Sequence, residues 1–314
     1  MSDLSAGREY DFYGGELYGK ILDNAANARR QGNGITPLIY INFPERNIFR
    51  DDAVGLNFEH IMNGSAADAE ICMFTPRTDS CLLLQHQPSA ASIIHRAEDS
   101  NWAMDSEMHY TSPGGNCIDL EFKATPRSNR FPLGYVAFMW ASYMDKARDR
   151  KIYFYGEREG REGWLSFGDD TEGGFETGTI AHCGAPPLPY EKGAQTLNII
   201  ENAHKKFKLP FYYGLMAGDG DLATPGHTMA YIMMFDQAAP IRFAMWNFIT
   251  DSKGAPDPHS PAWDWQYVIQ NPEVGRQYGY RARVIYKPFI SPEDVEQEYR
   301  HWVDSLDKQQ PARS

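Results

Sequence analysis

Residues 102–111 read WAMDSEMHYT, residues 112–116 read SPGGN, and residues 117–124 read CIDLEFKA. In the first run Trp102, Met104, Met108 and Tyr110 share one parity, while Asp105, Glu107 and His109 share the other. The second run sets Ile118, Leu120 and Phe122 against Asp119, Glu121 and Lys123. A side-chain period of two marks a half-buried strand. Ser112, Pro113, Gly114, Gly115 and Asn116 between the runs are dense turn chemistry. The stretch is therefore expected to be a β-hairpin with its apolar residues on one side. A short loop sets His109 opposite Asp119, Glu107 opposite Glu121 and Asp105 opposite Lys123. Side chains directly opposed across such a pair have Cβ atoms about 4.5–5.5 Å apart. Crowded carboxylates resist joint ionisation and divide into an acid and a base, and a neighbouring carboxylate orients a histidine. The plainer reading of the same face is a solvated side of an antiparallel sheet.

Outward from this hairpin the same punctuation continues. Apolar runs fall at residues 38–43, 54–62, 81–86, 133–143, 151–155, 164–167, 211–215, 229–235, 241–248, 263–269 and 278–286, separated by Gly, Pro, Asn and Asp. Many short strands joined by turns indicate a large antiparallel β-sandwich, not βαβ units. Residues 229–236 and 241–248 read as a second hairpin, with Asp236 and Arg242 facing each other near its turn. Leu17, Ile21, Ala25 and Ala28 recur at helical spacing before Gly32, so a short N-terminal helix is expected over residues 15–31. At the other end Ser291, Pro292 and Asp294 form an N-terminal cap. Val295, Tyr299, Trp302, Val303 and Leu306 then lie on one face of a helix over residues 292–307. The chain reads as one domain, residues 1–314, with its sandwich core at about 36–290.

Composition narrows the function. The 314 residues are 42% hydrophobic and 13% aromatic, and the formal net charge is -12. No cluster of Lys and Arg supplies a phosphate footprint, so neither nucleic acid nor an anionic membrane is the expected partner. No apolar run reaches membrane-spanning length and no leader is visible, which makes a cytoplasmic protein the expectation. Cys72, Cys81, Cys117 and Cys183 have neither CxxC spacing nor a disulfide pattern and read as free thiols. No cofactor is expected, with a divalent cation left open, as is self-association. The Asp- and Gly-rich stretch at residues 217–224 lacks the remaining calcium-loop ligands.

P-loop, GxGxxG, GxSxG and HExxH motifs are missing, which leaves acids, histidines, arginines and aromatics to carry chemistry. Glu107, His109, Asp119 and Glu121 are the candidate acid/base group. Candidate substrate-binding residues are Arg50, His60, His86, His95, His182, Trp140, Arg242 and Trp265. His60 shares parity with Phe58 and reads equally as a core residue; His86 and His95 bracket a turn. Trp265 offers a stacking surface for a pyranose ring or, more simply, core. Arg281, Arg283 and Lys287 read as a cationic strand face that binds an anion or pairs with the acidic face.

The number of strands, the acid- and histidine-bearing face, and the runs NWAMDSEMHY, CIDLEFKATP and GYVAFMWASYM resemble the galactose-mutarotase-like β-supersandwich group. That resemblance covers residues 36–290 and implies a carbohydrate-active enzyme, whether an epimerase, a lyase or a glycoside hydrolase, with a sugar or oligosaccharide as its small-molecule partner. A non-catalytic carbohydrate-binding sandwich and a small-molecule isomerase or cyclase with an apolar pocket of Trp102, Trp140 and Trp246 are the alternatives.

Overall fold

A computed structural model describes residues 8–25, 32–67, 71–168, 176–194, 199–202, 204–218, 227–247, 250, 253–254, 257, 259–309. In chain order the elements are β1 (Glu9–Gly14), β2 (Leu17–Leu22), β3 (Gly34–Tyr40), β4 (Asn57–Met62), α1 (Thr75–Thr78), β5 (Leu82–Gln87), β6 (Ala90–His95), β7 (Met104–Thr111), β8 (Cys117–Pro126) and β9 (Tyr135–Ala141). They continue with β10 (Ile152–Arg158), β11 (Arg161–Phe167), β12 (Gly178–Ala181), β13 (Lys205–Phe207), β14 (Phe211–Ala217), β15 (Thr228–Phe235), β16 (Ile241–Trp246), β17 (Ala262–Gln270), β18 (Tyr278–Pro288) and α2 (Pro292–Gln309).

The strands make an antiparallel β-sandwich. A ten-stranded sheet runs β11-β10-β14-β15-β18-β8-β7-β6-β5, with β13 also on β10, and a five-stranded sheet runs β12-β16-β17-β9-β4. Between them lies the main core. Tyr110, Leu120, Phe122, Val284 and Tyr286 reach in from one sheet, and Phe58, Phe138, Trp140, Phe243, Trp263 and Trp265 from the other. Trp140 and Trp265, paired across β9 and β17, stack at 5.5 Å between centroids. Such offset aromatic contacts add to the area they bury. Both are fully buried between the sheets, so the expected substrate-binding roles of Trp140 and Trp265 give way to core packing.

β7 and β8 form the expected hairpin with the expected faces, but the register is two residues away. His109 lies opposite Glu121, Glu107 opposite Lys123, Asp105 opposite Thr125 and Asp119 opposite Thr111. Even parity is kept, so every apolar residue stays on the core side. The longer turn through Gly114 and Gly115, both at positive φ, accounts for the shift.

The N-terminal helix is not formed. Residues 17–22 are β2, paired with β1 and β3 in a three-stranded sheet, and residues 26–31 lie outside the described residues. Leu17 and Ile21 are four apart, a spacing that fits a strand face as well as a helix stripe. Gly15, at φ 65°, closes the β1–β2 turn where a Cβ would strike the Gly115 backbone. The second hairpin is also not formed: β15 belongs to the ten-stranded sheet and β16 to the five-stranded one. Asp236 therefore pairs with Arg281, Nε to Oδ2 at 3.0 Å, and Arg242 lies elsewhere. Residues 219–224 of the Asp- and Gly-rich stretch lie outside the described residues.

Helix α2 forms as its cap and stripe predict. The Asp294 N–H donates to Ser291 Oγ at 3.2 Å. Val295, Trp302 and Leu306 pack on Phe211, Tyr213, Ile232, Met234 and Ile285, covering the outer side of β14, β15 and β18.

Candidate functional site

On the outer face of β5–β8 the sheet order brings His86, Ser92, His109 and Glu121 into one row. Ser92 is opposite His109, which is opposite Glu121, and His86 sits in a bulge of β5 beside Ser92. Ser92 is small enough for both imidazoles to lean over it, with ring centroids 5.3 Å apart. Its hydroxyl donates to Glu107 Oε1 at 2.8 Å and meets His86 Nε2 and His109 Nδ1 at 3.0 Å each. A hydroxyl has one proton and two lone pairs, so with its proton on Glu107 both rings must meet it as N–H donors. Burial and the neighbouring His86 lower the His109 pKa. Asp119 is drawn out of this group: Arg283 holds it with Nε–Oδ1 at 2.5 Å and Nη2–Oδ2 at 2.8 Å. Glu121 pairs with Lys123 at 2.9 Å. Glu107, His109 and Glu121 are all half-buried on an open sheet face.

A second polar group, which the strand-by-strand reading does not assemble, occupies the outer face of the five-stranded sheet. On β17 Trp263, Trp265 and Tyr267 point to the core, so Ala262, Asp264, Gln266 and Val268 point outward. On β16 the outward residues are Arg242, Ala244 and Trp246, opposite Gln266, Asp264 and Ala262. On β4 the register slips between Phe58 and His60, a bulge at Glu59. A bulge places two consecutive residues opposite one on the neighbouring strand. Glu59 is the extra residue beside His60, and His60 lies opposite Met139, on the outward side with Asn57. His60 is thus turned away from Phe58, contrary to the simple alternation.

Glu59 is nearly inaccessible, yet it collects three donors. Arg77 Nη1 donates to Oε1 at 2.5 Å, Tyr143 OH to Oε1 at 3.0 Å, and Asn57 Nδ2 to Oε2 at 3.3 Å. Burial raises its pKa, and these partners, Arg77 foremost, pull it back. Asp264 is fully buried and accepts the Ser142 N–H at 3.1 Å. Burial, then the charge of Glu59, holds its pKa well above the ordinary carboxylate range. Two interacting carboxylates in unequal surroundings separate into a protonated and an ionised member. Asp264 is the member shifted further toward the protonated form, and Glu59, whose own pKa burial also raises, is the member that Arg77 pulls back. His60 Nε2 lies 3.7 Å from Glu59. Burial and the Arg77 charge lower its pKa to about 3, so the ring is neutral and the contact is not an ion pair.

The candidate substrate-binding residues divide accordingly. His60 and Arg242 belong to this face. Arg50 borders it: its N–H donates to the Tyr143 carbonyl at 2.9 Å, while its guanidinium chelates Asp52. His182 borders it at the end of β12, 5.5 Å from the Phe207 ring. His86 belongs to the Ser92 row. His95 is a core histidine on β6, its Nε2 2.8 Å from the Pro76 carbonyl oxygen, with its pKa lowered to about 4 by burial. The face meets solvent at one end, where Tyr143 and Trp246 flank Ala262 and Arg77 is 26% exposed. Glu59, Asp264, Tyr143 and Arg77 escape the sequence reading because 205 positions, from 59 to 264, separate the two acids; the Arg77–Thr78–Asp79 run carries no motif. Among the described residues no group of three or more His, Cys, Asp or Glu is placed to hold a metal ion, and the four cysteines are free. No helix there is long and apolar enough to cross a membrane.

No family model and no curated protein matches the sequence. Solved structures do. The chain is similar to the Slr1438 protein of Synechocystis sp. PCC 6803 at 8% identity and TM-score 0.51, covering 92% of this chain and 99% of that one. It is also similar to a putative aldose 1-epimerase from Escherichia coli K12 (12% identity, TM-score 0.47, 90% and 100% covered). A galactose mutarotase-like protein from Lactobacillus casei gives 10% identity, TM-score 0.45, and 89% and 100% coverage. The first of these shows a shared fold over nearly the full length of both chains.

Proposed function

We propose that this protein is a carbohydrate-active enzyme working by proton transfer, and that its centre is the outer face of the five-stranded sheet. The observation that carries this is the buried pair Asp264 and Glu59 in unequal surroundings, Glu59 held by Arg77 and Tyr143 and Asp264 by the Ser142 N–H. Buried carboxylates cost stability, and strongly perturbed carboxylates cluster at functional sites. In this reading Asp264 gives a proton to a sugar oxygen, and Glu59 takes one from a hydroxyl or from water. Asn57 and Gln266 supply polar groups that orient hydroxyls. Tyr143 and Trp246, with aromatic faces at the open end, suit a pyranose ring. Epimerisation, β-elimination and hydrolysis share this pair, and the product distinguishes them.

A second reading keeps the chemistry at Glu107, His109 and Glu121, with His86. It is favoured by Ser92, whose three contacts lock both imidazoles in one tautomer. The experiment is incubation with a panel of mono- and oligosaccharides, followed by analysis for epimers, unsaturated ends and new reducing ends. Conversion by the wild type that persists in His109→Ala and is lost in Asp264→Asn supports the first reading. Conversion lost in His109→Ala alone supports the second, and no conversion of any sugar in the panel speaks against both.

A further inference from the structure

We infer that the sugar taken by the five-stranded face carries a carboxylate, and that Arg242 holds it. The inference rests on the reading of that face as the sugar site and names its substrate class.

Arg242 is the most deeply placed cation on the face, with 1% of its side chain exposed. Its Nη2 donates to the Pro186 carbonyl at 2.7 Å. Its Nε, buried, has no hydrogen-bond partner among the described residues. An unpaired buried N–H is costly, and a guanidinium edge is shaped to give two parallel hydrogen bonds to a carboxylate. The nearest acid among the described residues does not fill this role. Glu201 Oε2 stands 3.7 Å from Arg242 Nη2, and Lys206 already pairs with Glu201 through Oε1.

Charge accounting gives the sign and the size of what is missing. Arg77 is matched by Glu59. Among the described residues Arg242 and Lys206 share the single charge of Glu201, which leaves one positive charge in surplus there. Burial lowers the pKa of Arg242 to about 10, still well charged at neutral pH. One negative charge balances the set, which suits a carboxylate; a phosphate monoester brings about −1.5 to −2.

The spacing fits one sugar ring. Arg242 lies opposite Gln266, and Asp264 is two residues along β17 on the same side. Two residues of strand span about 7 Å, comparable to the reach of a pyranose from its carboxylate carbon to its anomeric carbon. A hexuronate with its carboxylate on Arg242 would present its anomeric end to Asp264 and Glu59.

The test is thermal shift and titration calorimetry on the full chain. The probes are glucuronate, galacturonate, the neutral hexoses glucose and galactose, glucose 6-phosphate, inorganic phosphate and acetate. A hexuronate should raise the melting temperature where equal concentrations of neutral hexoses do not, a comparison made on the wild type alone. In Arg242→Gln, hexuronate affinity should drop roughly 10–100-fold, the loss of a charge-assisted hydrogen-bond pair. Arg242→Lys, which keeps charge without the fork, should fall between. Equal binding of neutral hexoses, or tighter binding of glucose 6-phosphate or phosphate, would overturn the assignment. So would unchanged hexuronate affinity in a folded Arg242→Gln. Glu59→Gln separates the two claims: it should still bind the hexuronate. Hexuronate binding with no turnover in the wild type would defeat the catalytic reading and leave this inference standing. Turnover confined to neutral sugars would do the reverse.

Discussion

At the residue scale the buried titratable groups set the pH behaviour. Burial, then the charge of Glu59, raises the Asp264 pKa in the fold well above the 3.8 of an unfolded Asp. Folding then binds a proton, so this contribution to stability is whole at low pH and declines as pH rises above that value. His60 and His95 act in the opposite direction. Their pKa values fall from 6.5 to about 3 and about 4, so the unfolded chain binds the extra protons and stability declines as pH falls from 6.5 toward those values. Each such group changes stability by at most about 1.4 kcal/mol per pH unit within its window. Thermal denaturation across pH should therefore give a maximum on the acid side of neutral. Asp264→Asn should flatten the alkaline limb and leave the acid limb in place. An unchanged alkaline slope would mean that Asp264 is ionised in the fold. Glu59 belongs to the same pair but has Arg77 to offset its burial, so Glu59→Gln should alter that limb less and turnover more.

At the element scale, what is readable in the sequence is what local periodicity and capping control. Helix α2 is the clearest case, since Ser291 caps it and Val295, Trp302 and Leu306 are buried where the stripe says. Trp302→Ala should cost about 3–5 kcal/mol in denaturant unfolding and Ser291→Ala about 1 kcal/mol. A stability change near zero for Trp302→Ala would show that α2 does not dock. The β7–β8 hairpin was readable to its faces but not to its register, because alternation is blind to a slip of two. β2 was misread because Leu17 and Ile21 satisfy two periods at once, and only its pairing with β1 and β3 decides between them. The bulge at Glu59 leaves no local sign, and it decides which way His60 faces. Trp265 shows the opposite case, an aromatic residue whose simplest reading as core holds. Trp265→Ala should lower stability by about 3–5 kcal/mol. A variant of unchanged stability that loses sugar binding would return Trp265 to a binding role.

At the scale of the whole molecule the all-β sandwich was legible from strand density and turn chemistry, while sheet membership was not. Five residues separate β15 from β16, Gln237 to Pro240 look like a hairpin turn, and yet the chain crosses there from one sheet to the other. Alternation tells which residues share a face of a strand, and it does not tell which strands share a sheet. The candidate centre depends on that second kind of information, since Glu59, Arg77, Tyr143, Arg242 and Asp264 come from five separate segments. The group that could be read locally, Glu107 and His109 with Glu121, is on a contiguous hairpin and on the open side of the other sheet. The two faces lie on opposite outer sides of the sandwich, and they make opposite demands on one measurement. Turnover of the responsive sugar is compared among wild type, Asp264→Asn, Glu59→Gln and His109→Ala, each checked for fold by circular dichroism. Acid/base groups typically contribute about 10²–10⁴-fold, so Asp264→Asn and Glu59→Gln should each lose rate in that range while His109→Ala stays near wild type. Near-wild-type turnover in Asp264→Asn and Glu59→Gln, with loss in His109→Ala, would contradict the assignment and move the chemistry to the ten-stranded sheet.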